Sequence, residues 1–413
     1  MYCTVRPNPR DCSCRLALCI FLGAVLPLCA TTIARGQTLT PLYQFQGGAD
    51  GASPNGVIND FAGNLYGTTI GGGQTIFGTL FKLSPSGTKT ILYNFTGGTD
   101  GGEPHGTLIR DAKGNLYGTT EYGGDLNVQC VGMQGCGVVF KISPRGHETI
   151  LHAFTGGADG GQPIAGLTMD GNGNLYGTTA GGGNSGCAYF AVGCGVVFKI
   201  DSSNHFTVLY SFAGGSDSGV PESRLNLDSS GSIYGSTSGV GAGSQGTIFK
   251  LDARGHETVL LTFQGTNGSQ PYGSLAIDAK GDLYGTTYGG GNLNDCNQGF
   301  GCGIVFELKP DGQEPILSVF TGGSGGWGPV AGLVRDKKGT LYGTAALGGE
   351  GTDCCGVVFQ VTSNGVESVL HSFTDGADGG SPDTDLTQDS HGNLYGSAQG
   401  GTYGAGVIYK IVP

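Results

Sequence analysis

Past residue 36, the side chains with the plainest chemistry are eight cysteines: Cys130, Cys136, Cys187, Cys194, Cys296, Cys302, Cys354 and Cys355. They fall into four local pairs, three spanning short loops and the fourth adjacent. In each pair the second Cys directly precedes a glycine. A metal centre draws ligands from more than one strand and usually uses His, and these loops contain none. An even cysteine count in an exported chain reads as disulfides. The expected bridges are Cys130–Cys136, Cys187–Cys194 and Cys296–Cys302. Cys354 and Cys355 form either a vicinal bridge or free thiols, because adjacent residues sit closer than the usual ~4.4–6.8 Å between bridged Cα atoms.

Two further sets of residues could bind something. Asp50, Asp100, Asp159, Asp217 and Asp378 recur in loops of the form Gly-Gly-x-Asp-Gly-x-x-Pro, with Asn267 and Ser324 at the two remaining places. With loop carbonyls they could hold Ca²⁺, which takes six to eight oxygens. The simpler reading is an Asp-Gly turn, and no calcium loop of Asp-x-Asp-x-Asp-Gly spacing occurs; no other cofactor is expected. Trp327, Tyr122, Tyr189, Tyr288 and Tyr403 lie in glycine-rich loops, where aromatic faces could stack on sugars or peptide side chains. Partial burial over neighbouring structure is the alternative. No phosphate loop or zinc-helix motif is present, and the one Gly-x-Ser-x-Gly string, at 322–326, lies in a glycine-rich loop and not between a strand and a helix. The seven histidines are scattered, and no catalytic residue is assigned.

These residues must be positioned by a unit written seven times. Its central tyrosines are Tyr66, Tyr117, Tyr176, Tyr234, Tyr284, Tyr342 and Tyr395, and its best-kept form is Gly-Asn-Leu-Tyr-Gly-Thr-Thr. A short apolar run ending in Asp precedes the tyrosine block. A run such as Gly137-Val138-Val139-Phe140-Lys141-Ile142 follows it, and then one ending in Phe, such as Thr149–Phe154. We name these runs A, B, C and D, with the tyrosine block as B. Each reads as a strand of four to seven residues bounded by turn residues. Run C is apolar on both faces, as a sheet sandwiched between two others requires. Asp-x-x-Gly joins A to B, and Ser-Pro-x-Gly or a relative joins C to D. With 84 glycines and few helix formers, the chain reads as turn-dense and all-β.

Four strands in a unit of some 55 residues match a propeller blade. The expected architecture is a seven-bladed β-propeller of four-stranded antiparallel blades over residues 37–413. Run D appears once at 42–45 with nothing before it, and the last unit stops at run C. A closed ring needs this arrangement, with strand 42–45 pairing with 406–411 and the N-terminal strand completing the last blade. In such a meander the B–C and D–A connections share one face, which carries the long variable loops. The channel-lining positions of run A (Asn59, Thr107, Thr168, Asn226, Ser274, Val334 and Thr387) are mixed and contain no carboxylate cluster.

Residues 1–36 read as a signal peptide: Arg6, Arg10 and Arg15 flank an apolar run from Leu16 to Ala30, too short for the ~20 residues of a membrane span. Cleavage is expected after Gly36, with Ala30 as the alternative. This segment carries four Arg and one Asp, so the remainder has 16 basic and 31 acidic side chains and a net charge of −15. That balance disfavours nucleic acid and anionic membranes.

The repeat resembles the GloVer (Gloeo/Verruco) tandem repeat of exported bacterial proteins, whose units read Gly-Asn-Leu-Tyr-Gly-Thr-Thr, Gly-Val-Val-Phe-Lys, then a Phe-x-Gly-Gly-x-Asp-Gly loop. The likeness covers roughly residues 40–413. It implies a repeat domain of no assigned chemistry, often followed by a C-terminal anchor or sorting signal; here the chain ends on run C. The expectation is an exported, non-catalytic binding or scaffold protein, periplasmic or extracellular, that takes a polysaccharide, cell-wall or protein ligand on its B–C/D–A face. The alternative is a propeller enzyme of lyase or lactonase type with a metal near the central channel.

Overall fold

Each tyrosine block becomes the second strand of a four-stranded meander. In the third repeat the strands are Thr168–Met169, Leu175–Thr179, Val196–Ile200 and Phe206–Ser211, each antiparallel to the next. Seven such sheets make a seven-bladed β-propeller. The computed structural model describes residues 38–130, 132–187, 193–239, 245–294, 296, 299–350 and 355–413; residues 1–36, the segment expected to be a signal peptide, lie outside them. No helix among the described residues is long and apolar enough to cross a membrane.

The ring closes as the orphan D run requires. Thr38–Gln44 lies antiparallel to Val407–Val412, from Thr38↔Val412 to Gln44↔Val407, with a bulge between Pro41 and Tyr43. The N-terminal strand therefore completes blade 7, beside Leu394–Ala398 and Thr387–Gln388. It starts at Thr38, earlier than the apolar run suggested, because an outermost strand pairs on one edge and needs no alternating apolar face.

Strand A differs from expectation. It is two residues long in every blade, as in Ile109–Arg110 and Asn226–Leu227. Seven inner strands converge on one axis, and polar side chains of strands A and B there bond to the backbone of the neighbouring blade. Asn226 Nδ2 donates to the Leu275 carbonyl (2.7 Å), Thr119 Oγ1 to Ala165 (3.0 Å) and Thr286 Oγ1 to Ala331 (2.9 Å).

The A–B turns are built on their aspartates. Asp111 Oδ1 accepts the N–H groups of Lys113 and Asn115, and its Oδ2 accepts the Tyr117 hydroxyl at 3.0 Å. The same Tyr-to-Asp bond recurs in blades 1, 3, 4, 6 and 7. In blade 5 Tyr284 instead donates to Glu307, and Asp278 pairs with Arg335. The repeated tyrosine thus packs its ring at the core edge and ties its own turn.

The seven apolar clusters each join two adjacent blades, the blade 7–blade 1 pair included. One motif organises them all. The Phe ending run D of one blade meets the aromatic ring of strand C in the next: Phe95–Phe140 at 5.1 Å, Phe154–Phe198 at 5.3 Å, Phe212–Phe249 at 5.1 Å, Phe263–Phe306 at 5.4 Å, Phe320–Phe359 at 5.0 Å, Phe373–Tyr409 at 5.3 Å and Phe45–Phe81 at 5.2 Å. The strand C ring lies over the glycine of Tyr-Gly-Thr opposite it. A Cβ on Gly118 would sit 2.6 Å from Phe140 Cζ.

A second glycine, the one opening strand C, meets the next blade's proline. A Cβ on Gly137 would sit 2.2 Å from the Thr120 carbonyl oxygen and 2.6 Å from Pro163 Cδ, at a φ of +93°. Gly137→Ala should therefore cost at least about 3 kcal/mol, against about 1–2 kcal/mol for Gly312→Ala, whose φ is +84° but whose surroundings are open. Urea unfolding of both variants measures the difference, and equal losses would refute the contact. Blade 7 offers the converse test. Tyr409 stands where six blades carry Phe, and its buried hydroxyl has no partner among the described residues. Tyr409→Phe should stabilise the fold by about 1 kcal/mol in the same assay; a loss would show that the hydroxyl is satisfied.

Candidate ligand-binding face

Each D–A loop runs from the rim of one blade to the inner end of strand B in the next, where the two pair. Gly102 bridges Tyr122, Gly161 bridges Gly181, Ser269 bridges Gly289, Trp327 bridges Leu347 and Gly380 bridges Gln399. The loops thus lie together with the B–C connections, as the meander implies. The residue before the loop proline has a left-handed backbone in all seven units, and six of the seven are not glycine: Ser53, Glu103, Gln162, Val220, Gln270 and Ser381, with φ between 45° and 59°. This geometry costs about 1–2 kcal/mol at each L residue. It is over-determined by a seam hydrogen bond, from that residue's N–H to the carbonyl just before the strand C glycine of the preceding blade. Glu103 reaches Phe77 at 2.9 Å, Gln162 reaches Cys136 at 2.8 Å and Ser381 reaches Cys355 at 2.8 Å.

The five loop aspartates each hold their own blade's D strand and turn. Asp50 accepts Tyr43 Oη (2.7 Å) and the Gln46 N–H (2.8 Å) and pairs with Lys89 of blade 1 at 2.7 Å. Burial opposes ionisation there, yet Lys89, Gln46 and Tyr43 hold the Asp50 carboxyl below its usual range. Asp100 accepts Tyr93 Oη, Asp159 accepts His152 Nε2, Asp217 accepts Tyr210 Oη and Asp378 accepts His371 Nε2, at 2.9–3.1 Å. Each also accepts the N–H four residues before it. One neighbour is unusual. Glu148 of blade 2 accepts Tyr93 Oη at 2.8 Å beside Asp100; burial, and then repulsion from Asp100, push its carboxyl up to about 7.

The bridges Cys130–Cys136, Cys187–Cys194 and Cys296–Cys302 are formed, with Cα separations of 5.1–5.3 Å. Cys130, Cys136, Cys194 and Cys302 are fully buried. They pack under the first loop glycine of their blade: a Cβ on Gly156 would sit 2.8 Å from Cys130 Sγ, where blade 1 sets the Phe77 ring beneath Gly97. The bridges are core material seating one loop on another. Cys355 is buried in the blade 6–blade 7 cluster, and Cys354 lies outside the described residues.

The aromatic residues part company. Trp327 is half-buried against the blade 5–blade 6 cluster. Tyr288 is half-buried between Tyr272 (6.0 Å) and Phe300 (5.8 Å), and a Cβ on Gly328 would touch its ring. Tyr403 is exposed. Tyr189 lies outside the described residues. Tyr122 is drawn into a different cluster, described next.

Carboxylates converge on this face, outside run A. They come from the residues flanking the loop proline and from the residue after Tyr-Gly-Thr-Thr. Glu103, His105 and Glu121 bring their ligand-type atoms within 4.8 Å of one another, the one such trio among the described residues. His105 Nε2 lies 2.9 Å from Glu121 Oε2, and Gln162 Nε2 donates to Glu121 Oε1 at 3.2 Å. Burial works to raise the Glu121 carboxyl, but His105, Tyr122 and Gln162 hold it below its usual value. Tyr122 is raised by burial and by Glu121. Glu222, just after the proline of blade 4, is pushed up to about 7 by burial and also feels Glu121; Asp383, at the same place in blade 7, is raised by burial and feels His105. Inner loops of non-adjacent blades come within hydrogen-bond reach at the axis. There the loops meet: Ser274 Oγ of blade 5 lies 2.9 Å from Asp385 Oδ2 of blade 7, and the Gly332 N–H of blade 6 donates to Asp385 Oδ1 at 2.7 Å. The cluster therefore marks the axial mouth.

A sequence-family model, the Gloeobacter/Verrucomicrobia repeat, matches residues 30–187, 127–300 and 297–413. No curated protein matches the chain. Among solved structures, two of the extracellular domain of a two-component system of B. thetaiotaomicron, one described as hybrid and the other as one-component, superpose with TM-scores of 0.54 and 0.55 at 12% and 11% identity. They cover 90% and 91% of this chain, which spans about 40% of theirs (39% and 40%). A gluconolactonase of Xanthomonas campestris matches at TM-score 0.46 and 14% identity over 93% of both chains. For the two extracellular domains, at these identities the likeness is one of fold.

Glu148 yields a pH test. Its folded pKa lies above the unfolded value of about 4.3, so the folded state holds the proton more tightly. Its contribution is present below the unfolded pKa and lost as pH rises toward about 7. With allowance for solvent screening, unfolding free energy should fall by about 1–2 kcal/mol across that window on its account. Glu148→Gln should shrink the fall by that amount in urea titrations at pH 5 and 7.5; parallel curves would disprove the shift.

Proposed function

From the premise that this chain belongs to the Gloeobacter/Verrucomicrobia repeat family, we propose that it is an exported binding module whose ligand sits on the B–C/D–A face, over the axial mouth. Three local disulfides fit an oxidising compartment. The observation that carries the reading is the pairing at one mouth of aromatic faces with hydrogen-bond acceptors. Tyr272, Tyr288 and Phe300 supply the first, and Glu121, Glu222 and Asp383 the second. Ring faces stack on the apolar side of a sugar while carboxylates accept its hydroxyls, so a polysaccharide is the ligand class. Buried bridges hold the surrounding loops, which limits the entropy lost on binding.

A second reading, a propeller enzyme of lyase or lactonase type with a metal near the channel, is favoured by one observation: His105 stands between two carboxylates at that mouth. Turnover of the same polysaccharides would support it.

Affinity electrophoresis against a panel of polysaccharides tests the module. Tyr288→Ala should weaken binding about tenfold or more and Trp327→Ala by less, because Trp327 packs on the blade 5–blade 6 core while Tyr288 packs with Tyr272 and Phe300 of the mouth. Lys113→Ala, in an A–B turn on the opposite face, should change nothing. Loss in the turn variant alone would show that the other face binds.

A further inference from the structure

We propose that Glu103, His105 and Glu121 form a binding site for one first-row divalent cation at the axial mouth. The three side chains come from separate places in the chain: before the loop proline, after it, and after the strand B block of blade 2. Their donor atoms already lie within 4.8 Å of one another. Ligands at about 2.0–2.2 Å from one ion stand up to roughly 4 Å apart, so a closure of up to about an ångström, within reach of side-chain rotation, completes the trio.

An independent observation comes from the repeat. The place before the proline holds Ser53, Gln162, Val220, Gln270, Gly328 or Ser381 in the other six units. The place after it holds Asn55, Ile164, Glu222, Tyr272, Val330 or Asp383. The place after strand B holds Ile70, Ala180, Ser238, Tyr288, Ala346 or Gln399. Only blade 2 puts a ligating side chain at all three. A scaffold needs none of them, since six blades close the same seam without the trio. Glu121 is also braced from outside: Gln162 of the next unit donates to its Oε1, leaving Oε2 toward His105. Orienting bonds of this kind accompany metal ligands.

The donor set selects the ion. One imidazole and two carboxylates suit Mn²⁺ or Zn²⁺. Ca²⁺ wants six to eight oxygens and has no use for the imidazole. Three protein ligands leave positions open to a substrate or a sugar hydroxyl. The site bears on the enzyme reading without depending on it, and its test uses neither polysaccharide nor turnover.

The test is calorimetric titration of the exported protein, after dialysis against a chelator, with Mn²⁺, Zn²⁺ and Ca²⁺ separately. One equivalent of Mn²⁺ or Zn²⁺ should bind, with Ca²⁺ at least about tenfold weaker. Glu103→Gln and His105→Gln should each lower affinity more than about a hundredfold, and Gln162→Ala about tenfold. Asp311→Asn, in an exposed turn of blade 5, should leave binding unchanged. Circular dichroism and melting confirm that each variant is folded, and His105→Gln serves if the acidic variant is not. Absence of saturable binding up to about 1 mM, or stoichiometric binding that survives both ligand substitutions, would overturn the site.

Discussion

The structure hangs on an aromatic ring seated over a glycine. Each of the seven interfaces places the Phe that ends strand D against the ring of the next blade's strand C, and that ring occupies the space a side chain on the Tyr-Gly-Thr glycine would fill. Burial of each ring contributes about 2–3 kcal/mol and the edge-on pairing about 1 kcal/mol more. The contact also sets how closely blades approach, because the glycine admits the ring to within van der Waals distance of the backbone. Its sevenfold repetition makes the angular step between blades nearly constant, which is what lets the last blade meet the first.

The scaffold was legible because its constraints are local and periodic. Tyr-Gly followed by Thr or Ser, Asp-x-x-Gly and the apolar strand C each occur seven times, so any one reading is checked by the other six. Closure could be read from the orphan strand D. Strand A is shorter than its apolar run implies, because burial of that run does not require ladder pairing. Leu108 and Leu167 are fully buried, but they precede the two-residue strands and point into the seam between blades.

The mouth was missed for a different reason. The inward positions legible in the repeat are those of strand A, whereas the acidic groups sit on either side of the loop proline and just after strand B. Glu103 and Glu121 are 18 positions apart and Glu222 and Asp383 lie two and five blades on, so no motif connects them. The signal that could have found them is a comparison down the columns of the repeat. Glu103, His105 and Glu121 stand out only when set beside Gln162, Ile164 and Ala180. The cysteines show the reverse. Their pairing could be read from spacing, but their place beneath the loop glycines needed the fold.

The pairing of Thr38–Gln44 with Val407–Val412 has a consequence for the order of events in time. A polypeptide synthesised from its N-terminus makes Thr38–Gln44 available long before Val407–Val412. Until Val407–Val412 arrives, Phe45 can rest against Phe81 of blade 1, but blade 7 cannot be completed. Contacts this distant in sequence are the slowest to form. The three bridges, each closing a loop of a few residues, need no such wait. Maturation should thus run from many independent local latches to a single late clasp, and the interval between them is when a growing chain exposes an unpaired edge to its neighbours.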